Sequence, residues 1–144
     1  MIGYLDTSAF VPIVLAAEAT SPACVDFWLT ADMLVSTRLL YVETASALAR
    51  GERGGRLVGD QHDRALAQVE RLFGEIELID VDERLIRVAA DLARRFGLRG
   101  YDAVHCAAAA LFDAPDLVAG SGDRKLLAAW RELGIATFDP AAPA

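Results

Sequence analysis

Residues 2–15 read IGYLDTSAFVPIVL, and this stretch contains two kinds of apolar segment in succession. The run at 2–5 is short and continuous and stops at Asp6, a pattern typical of a strand that is buried on both faces. Residues 7–15 favour a short helix that Pro12 restricts. A buried strand that leads directly into a helix predicts an α/β domain built on a parallel sheet.

The rest of the chain repeats this alternation of short apolar runs with stretches of helical periodicity. The predicted strands are 2–5, 33–36, 76–81, 116–120 and 135–139, and the predicted helices are 7–15, 21–31, 37–55, 60–75, 82–97, 101–112 and 123–134. We therefore expect a three-layer α/β sandwich, in which helices flank a central parallel sheet of about five strands. We predict one domain over 1–139 and a frayed tail at 140–144.

The composition limits the classes of function. With 144 residues and a hydrophobic fraction of 54%, the chain can form one domain with an ample core. Its 14 basic and 21 acidic residues leave a net charge of −7, which argues against a broad basic surface for nucleic acid. A small acidic site that handles nucleic acid through metal ions remains compatible with this charge.

Cysteine usage and hydropathy indicate the cellular setting. Cys24 and Cys106 form neither a disulfide framework nor a zinc site of recognisable spacing, and we interpret both as small buried hydrophobic residues. Asp6 and Pro12 interrupt the N-terminal apolar run, and no segment reaches the roughly 18 apolar residues of a membrane span. We therefore expect a soluble cytoplasmic protein with no membrane segment.

Four acidic residues are candidates for chemistry because of where they lie relative to the predicted elements. Asp6 directly follows the first strand, and Glu43 lies one turn into the helix that follows the second strand. Asp102 and Asp123 stand at the starts of two later helices. Ligands bind outside the carboxyl ends of the strands in open α/β sheets, so we expect these acids to face one rim of the domain.

Each acid taken alone also has an ordinary structural explanation. Aspartate is common in turns that follow strands, which is the alternative for Asp6. It is also common at helix N-termini, where its carboxylate caps the helix or complements the helix dipole, which is the alternative for Asp102 and Asp123. Glu43 has apolar or small neighbours, and a charged side chain is seldom buried unless it is paired or binds metal. An ion pair of Glu43 with Arg38 or Arg50 is the structural alternative for this residue.

Together the four acids point to a metal site. Carboxylates crowded into one cleft raise one another's pKa values, whereas a divalent cation keeps them ionised. Ligand sets made only of oxygen atoms suit Mg²⁺ or Mn²⁺ rather than zinc. Such ions lower the pKa of a bound water and stabilise charge on a phosphoryl group.

Four stretches of the chain resemble motifs of the PIN-domain ribonucleases, and they occur in the same order. They are YLDTSAF at 4–10, YVETASAL at 41–48, LRGYDAVHCAAA at 98–109 and GSGDRKL at 120–126. The chain resembles in particular the toxins of VapBC-type (type II) toxin–antitoxin pairs, and the resemblance covers essentially the whole chain. It implies a PIN-like fold with acidic residues at one edge of the sheet and an Mg²⁺- or Mn²⁺-dependent endoribonuclease activity.

The resemblance also implies roles for individual residues. By position, the catalytic acids are Asp6, Glu43, Asp102 and Asp123. Asp6 and Asp102 would be the chief ligands of Mg²⁺, for which Mn²⁺ can substitute. Glu43 and Asp123 would complete the site through water or a second metal ion.

The resemblance also covers polar residues beside these acids. Ser121 corresponds to the family's polar position near the last aspartate, and Thr7 or Ser8 is expected to assist near Asp6. His105 is either a hydrogen-bond partner of the site or a histidine satisfied within the core.

Two arginine-rich segments and two apolar segments suggest binding partners. Arginines within 49–56 and 93–100 either contact RNA phosphates or complement helix C-termini, and Arg99 fits both interpretations equally. The segments FVPIVL (10–15) and CVDFWL (24–29) either form a hydrophobic groove or pack in the core. The resemblance favours an RNA substrate, a cognate antitoxin bound through a helix, and a homodimer.

Two other functions compete with this prediction. In phosphatases of the haloacid dehalogenase type, a second aspartate follows the first by two residues, but here that position is Ser8. The other alternative is a non-catalytic α/β interaction module whose acids are structural.

Overall fold

The computed structural model describes residues 1–143, and its elements alternate as the sequence predicts. The strands are β1 (Ile2–Leu5), β2 (Met33–Thr37), β3 (Glu77–Ile79), β4 (Leu117–Gly120) and β5 (Ala136–Phe138). The helices are α1 (Thr7–Leu15), α2 (Ser21–Thr30), α3 (Leu39–Arg53), α4 (Gln61–Phe73), α5 (Glu83–Phe96), α6 (Gly100–Phe112) and α7 (Arg124–Glu132). Every predicted strand and helix is present in the described part of the chain, with ends shifted by at most a few residues.

The strands form one parallel sheet in the order β3-β2-β1-β4-β5. In the centre, Tyr4 of β1 lies opposite Val35 of β2 on one side and Ala119 of β4 on the other. The chain builds the sheet outward from β1 to β3 and then returns to the other side of β1. The strand order therefore reverses between β1 and β4, which is where ligands bind in open α/β sheets.

Helices cover both faces of the sheet, which confirms the three-layer prediction. Successive side chains of a strand point to opposite faces, and Tyr4 and Leu5 accordingly belong to two different core clusters. Helices α5, α6 and α7 supply most of the cluster around Tyr4, whereas α1 to α4 supply the cluster around Leu5. Burial on both faces explains why the strands read as continuous apolar runs.

Helix α6 is the most deeply buried helix near the site. All of residues 103–109 are buried, and three consecutive alanines, Ala107 to Ala109, lie among them. Alanine is the best helix former and adds little bulk, so α6 can lie close to both the sheet and α5. Tight packing of this helix fixes the backbone from which Asp102 and His105 project.

Other sequence expectations meet the structure in different ways. Cys24 and Cys106 are free and buried, and burial raises their thiol pKa values to about 11 and about 12, so both behave as inert apolar residues. None of the helices within 1–143 has the length and apolar character needed to cross a bilayer. The predicted tail begins with the buried Pro140, but Ala144 lies outside the described residues, and the domain limit at 139 stays a prediction.

Candidate active site

One groove of about 1790 Å³ contains all four predicted acids on its lining. Asp6 lies directly after β1, and Asp123 lies beyond the end of the adjacent β4. Glu43 projects from the second turn of α3, which follows β2, and Asp102 projects from the first turn of α6. The structure thus brings residues from four distant parts of the sequence to one rim, at the point where the strand order reverses.

Asp6 is held by hydrogen bonds to both of its carboxylate oxygens. Oδ1 accepts from the Ser8 hydroxyl at 2.7 Å and from the Ala9 backbone N–H at 3.1 Å, and Oδ2 accepts from the Ser121 hydroxyl at 2.6 Å. The bond to Ala9 makes Asp6 the N-cap of α1, whereas the structural alternative predicted for this residue was a turn former. The carboxylate cannot rotate without breaking these bonds.

The surroundings of Asp6 leave its negative charge poorly compensated. The residue is only 4% exposed, and burial raises the pKa of its carboxyl group above the ordinary value. The neighbouring His105 and the hydrogen bonds from Ser121, Ser8 and Ala9 lower this pKa but do not cancel the effect of burial. A desolvated carboxylate without a full countercharge is a favourable place for a cation.

Serine hydroxyls tie the end of β4 to the end of β1. The Ser121 hydroxyl accepts from the Asp123 backbone N–H at 2.9 Å while it donates to Asp6. The Ser8 hydroxyl accepts from the Gly122 backbone N–H at 2.7 Å while it donates to Asp6. Ser8 is therefore the neighbour that assists Asp6, whereas Thr7 has a buried hydroxyl with no hydrogen-bond partner within residues 1–143.

Asp123 and Asp102 have lighter constraints than Asp6. Asp123 is the N-cap of α7, and its Oδ1 accepts from the backbone N–H groups of Lys125 and Leu126. Asp102 is not a cap: the N-cap of α6 is Arg99, and the Arg99 Nε donates to Asp102 Oδ2 at 3.3 Å. The Asp102 carboxylate therefore has one exposed arginine as its partner and can change that partner readily.

Glu43 is bound by a histidine rather than by an arginine. His105 Nε2 lies 2.7 Å from Glu43 Oε1, and His105 Nδ1 lies 2.7 Å from the Tyr4 hydroxyl. The predicted alternative of an ion pair with Arg38 or Arg50 is wrong, because Arg38 binds Asp80 and Arg50 binds Ser46. Both interpretations of His105 apply. It is a hydrogen-bond partner of the site residue Glu43, and it is a buried histidine whose two ring nitrogens both have partners.

Tyr4 is a residue of the site that the sequence did not reveal. Its ring is fully buried and packs edge-to-face against Trp130, with ring centroids 5.8 Å apart. Burial raises the pKa of its hydroxyl well above the ordinary value, so the group remains protonated. A tyrosine inside an apolar strand gives no sequence signal for this contact, since the residue also suits an ordinary core position.

The ligand chemistry of the groove fits a hard divalent cation. The four acids offer only carboxylate oxygens, which are ligands that Mg²⁺ and Mn²⁺ prefer. Within residues 1–143, however, no three His, Cys, Asp or Glu side chains stand close enough together to hold one ion. Since Asp102 is lightly held, its side chain is the one best able to move toward the fixed Asp6.

The groove extends beyond the acids along helices α3 and α4. Glu43, Ser46, Ala47 and Arg50 line it from successive turns of one face of α3, so the acid and the arginine lie two turns apart. Arg56, Arg64 and Arg99 also line the groove. The groove therefore has an acidic end at the sheet and basic side chains around it.

Apolar side chains form much of the groove wall, and they come from only one of the two predicted segments. Val11, Pro12, Val14 and Leu15 of the segment 10–15 line the groove. In the segment 24–29, by contrast, Cys24, Phe27 and Trp28 are buried in the core. Exposed side chains of Val42, Ile86 and Tyr101 add to the apolar wall.

Comparison with known proteins gives consistent matches over nearly the whole chain. A family model described as the PIN domain matches residues 3–132. A protein of Mycobacterium tuberculosis (strain ATCC 25618 / H37Rv) named Ribonuclease VapC49 is 34% identical over 123 residues, which make up 85% of this chain and 85% of that protein.

Solved structures share the fold at lower sequence identity. The crystal structure of Mycobacterium tuberculosis VapC20, described as a sarcin–ricin loop cleaving toxin, has a TM-score of 0.70 and 20% identity and covers 88% of this chain and 94% of that chain. A DNA-bound VapBC from Salmonella typhimurium has a TM-score of 0.66 and 17% identity and covers 98% of this chain and 99% of that chain. Both likenesses cover most of this chain.

Proposed function

The chain belongs to the PIN-domain family, and on that premise we propose that it is a divalent-metal-dependent endoribonuclease, the toxin of a VapBC-type toxin–antitoxin pair. The observation that carries this proposal is the meeting of Asp6, Glu43, Asp102 and Asp123 on one groove at the reversal of strand order. The 34% identity to a named VapC ribonuclease supports the same activity.

Asp6 and Asp102 would hold Mg²⁺, or Mn²⁺ in its place, and Glu43 and Asp123 would complete the site. When bound, the ion supplies an activated water and stabilises charge that develops on the phosphoryl group. Asp6 offers a carboxylate already fixed by Ser8 and Ser121, which reduces the entropy that binding would otherwise cost.

The chain's own residues position the reacting groups. Glu43 has Oε1 bound to His105, and its Oε2 is free to accept a hydrogen bond from a water molecule in the groove. Arg99 stands beside Asp102 at the mouth of the groove and can donate to a phosphate oxygen with its planar guanidinium group.

An RNA strand would leave the acidic end of the groove along α3. Arg50 lies two helical turns beyond Glu43 on the same face, a rise of roughly 10 Å. Arg50, Arg56 and Arg64 are placed to contact phosphates without reading bases. The overall net charge of −7 argues against a broad basic surface for RNA, so contacts to phosphates would depend on local arginines such as these.

The same groove suits a cognate antitoxin. An amphipathic helix would place apolar side chains against Val11, Leu15 and Val42 and acidic side chains near the arginines. The DNA-bound VapBC structure and the other complexes that share this fold support a partner of this kind. We also propose a homodimer and a cytoplasmic location, as the family resemblance implies.

The two competing functions receive less support. A phosphatase of the haloacid dehalogenase type needs an acid two residues after Asp6, but Ser8 is there and donates its hydrogen bond to Asp6. A non-catalytic module would not require a buried, poorly compensated carboxylate at the acidic end of the groove. Cleavage of small phosphomonoesters would favour the phosphatase.

Incubation of the purified chain with total RNA tests the proposed function. We expect cleavage with Mg²⁺ or Mn²⁺, none with a chelator, and none from the Asp102→Asn variant with either ion. Sequencing of the new RNA ends then identifies the target. Intact RNA in every arm, or equal cleavage by the variant, contradicts the proposal.

A further inference from the structure

A buried chain of hydrogen bonds runs from the core of the domain to Glu43. Tyr4, on the central strand, contacts His105, on α6, and His105 contacts Glu43, on α3. Tyr4 is 0% exposed and His105 is 1% exposed, whereas the Glu43 side chain is 18% exposed and lines the groove. These hydrogen bonds thus connect three separate elements and end at one of the candidate catalytic acids.

We propose that Tyr4 and His105 are positioning residues that hold Glu43 Oε1 toward the core and leave Oε2 alone to serve the groove. The inference rests on the proposed function, since it assigns a supporting role to residues behind a nuclease site. This arrangement directs one oxygen of Glu43, Oε2, to the groove, which suits a contact to water or to one ion through that oxygen.

The hydrogen-bonding capacities of the three groups define where the protons lie. An ionised Glu43 carboxylate can only accept, so His105 Nε2 must carry a proton and donate it. His105 Nδ1 can then accept from the Tyr4 hydroxyl, so that one tautomer of the ring satisfies both of its nitrogens. Every polar atom of the buried pair is used, which is the arrangement that makes a buried polar network tolerable.

The two contacts also fix the geometry of the imidazole ring. The rings of Tyr4 and His105 meet edge-to-face with centroids 5.9 Å apart, and Trp130 packs on the Tyr4 ring in the same manner. Neighbouring positions on α6 are occupied by Val104, Cys106 and alanines, all buried. His105 is therefore the one polar side chain in the buried body of this helix, within the described residues, and its outer nitrogen is directed at Glu43.

Packing alone does not account for a histidine at this position. A buried apolar side chain would gain more from transfer out of water and would leave no ring nitrogen to satisfy. Partners that orient a ligand from behind commonly change metal affinity or activity by about 10- to 100-fold when they are removed. If His105 acts through Glu43, removing its contact with Glu43 should lower activity by the same factor.

Substitutions at His105 distinguish a positioning role from a packing role. Glutamine can replace the hydrogen bond of Nε2, and asparagine can replace only that of Nδ1. The His105→Gln amide reaches the place of Nε2 and can still donate to Glu43, so we expect kcat for RNA cleavage within about threefold of the parent. The His105→Asn amide reaches only the place of Nδ1, so we expect kcat to fall about 10- to 100-fold with KM for RNA unchanged. Tyr4→Phe should lose up to about 10-fold, the worth of one neutral hydrogen bond.

A double substitution tests whether His105 acts through Glu43. In a Glu43→Gln background, His105→Asn should cause no further loss of activity, because the group that it positions has already been altered. Cys106→Ala is the matched control: it perturbs the neighbouring buried position on α6 and should leave kcat unchanged. Additive losses in the double variant, or equal losses from His105→Gln and His105→Asn, overturn the proposal.

A readout independent of cleavage separates this inference from the proposed function. Long-range ¹H–¹⁵N NMR correlations of the His105 ring in the metal-free chain should show Nε2 protonated. A ring whose Nε2 carries no proton overturns the proposal even if RNA is cleaved. Conversely, if the parent chain cleaves no RNA with either ion, the proposed function fails, and the protonation of Nε2 still decides whether His105 holds Glu43.

Discussion

The two acids proposed as metal ligands stand in opposite surroundings. Asp6 is 4% exposed, and serine hydroxyls donate to both of its oxygens. The Asp102 side chain is 20% exposed, and its hydrogen-bond partner is Arg99, which is 86% exposed. The groove therefore has a fixed side, made of Asp6, Ser8 and Ser121, and an open side, made of Asp102 and Arg99.

The difference shows two ways in which a fold can place a ligand. On the fixed side, hydrogen bonds hold the carboxylate itself, at the cost of burying a charge. On the open side, the packed body of α6 fixes the backbone, and the carboxylate stays free to change partners. A cation that binds between the two sides would compensate the charge of Asp6 and take the place of Arg99 at Asp102.

The largest expected effect comes from removing either carboxylate. Asp6→Asn and Asp102→Asn should each lower RNA cleavage by more than about 100-fold, since even partners behind a metal ligand are worth 10- to 100-fold. Cleavage of the target RNA under saturating Mg²⁺ measures this effect, with circular dichroism as the control for folding. Near-parental activity in the Asp102→Asn variant would show that the Asp102 carboxylate is not needed for cleavage and would contradict a metal site that includes it.

Metal binding should stabilise the parent chain and neither variant. A ligand that binds only the folded state at 100 times its Kd adds about 2.7 kcal/mol to the free energy of unfolding. We expect Mn²⁺ to raise the melting temperature of the parent and to leave those of Asp6→Asn and Asp102→Asn unchanged. An equal rise in all three proteins would place the ion elsewhere.

Loss of the Ser121 hydroxyl should weaken the fixed side. Ser121→Ala leaves Asp6 Oδ2 without its donor in a buried position and should lower the free energy of unfolding by about 1–3 kcal/mol. Urea unfolding measures the difference, and Ser46→Ala is the control, since that exposed hydroxyl binds only the exposed Arg50. Equal stabilities of the two variants would show that Asp6 does not depend on Ser121.

The stability of the metal-free protein should report the cost of burying Asp6. Because burial raises the folded-state pKa of Asp6 above its ordinary value of 3.8, the protonated form favours folding. That contribution is complete below the unfolded pKa and is lost as the pH rises through the folded pKa. Urea unfolding of the metal-free parent should therefore show a stability contribution that declines as the pH rises above 3.8, and this decline should be absent from Asp6→Asn, whose amide does not titrate. If the difference in free energy of unfolding between the parent and Asp6→Asn stays constant as the pH rises from 3.8 to neutral, burial of the Asp6 charge does not destabilise the fold as predicted.

The smallest effect on stability is expected on the open side. Arg99→Ala removes an exposed ion pair, and such pairs contribute less than about 1 kcal/mol. The same change should tighten Mn²⁺ binding slightly, because Arg99 no longer competes for Asp102, and should weaken RNA binding. Isothermal titration calorimetry measures the affinity for Mn²⁺. The control is Arg94→Ala, which alters an exposed arginine of α5 that does not line the groove. Weaker Mn²⁺ binding would show that Arg99 supports the ion instead.

The sequence predicted the framework of the site because that framework follows from local patterns. Strand length, helical periodicity and the shared edge of parallel strands were enough to bring Asp6 and Asp123 to one rim. The hydrogen-bond partners of the acids depend on how distant elements dock. His105 is 62 residues from Glu43, and Ser121 is 115 residues from Asp6.

The incorrect expectations have the same physical origin. An arginine near Glu43 in sequence was a reasonable partner, but Arg38 lies beyond the end of β2 and binds Asp80 beyond the neighbouring β3. For the segment 24–29, where a groove and core packing were both open, Phe27 and Trp28 pack in the core beside Leu5, while Leu29 is exposed. The local sequence shows how many apolar side chains a helix carries. Which of them are buried in the core and which line a groove depends on how the helix packs against the rest of the domain.

Diffraction from crystals soaked in Mn²⁺ tests the central claim most directly. The anomalous signal of manganese should reveal an ion within coordination distance of the carboxylates of both Asp6 and Asp102, with Arg99 displaced from Asp102. An ion bound at another surface, or a groove without any ion at Mn²⁺ concentrations that support RNA cleavage, would contradict the claim that the fixed and open sides form one metal site.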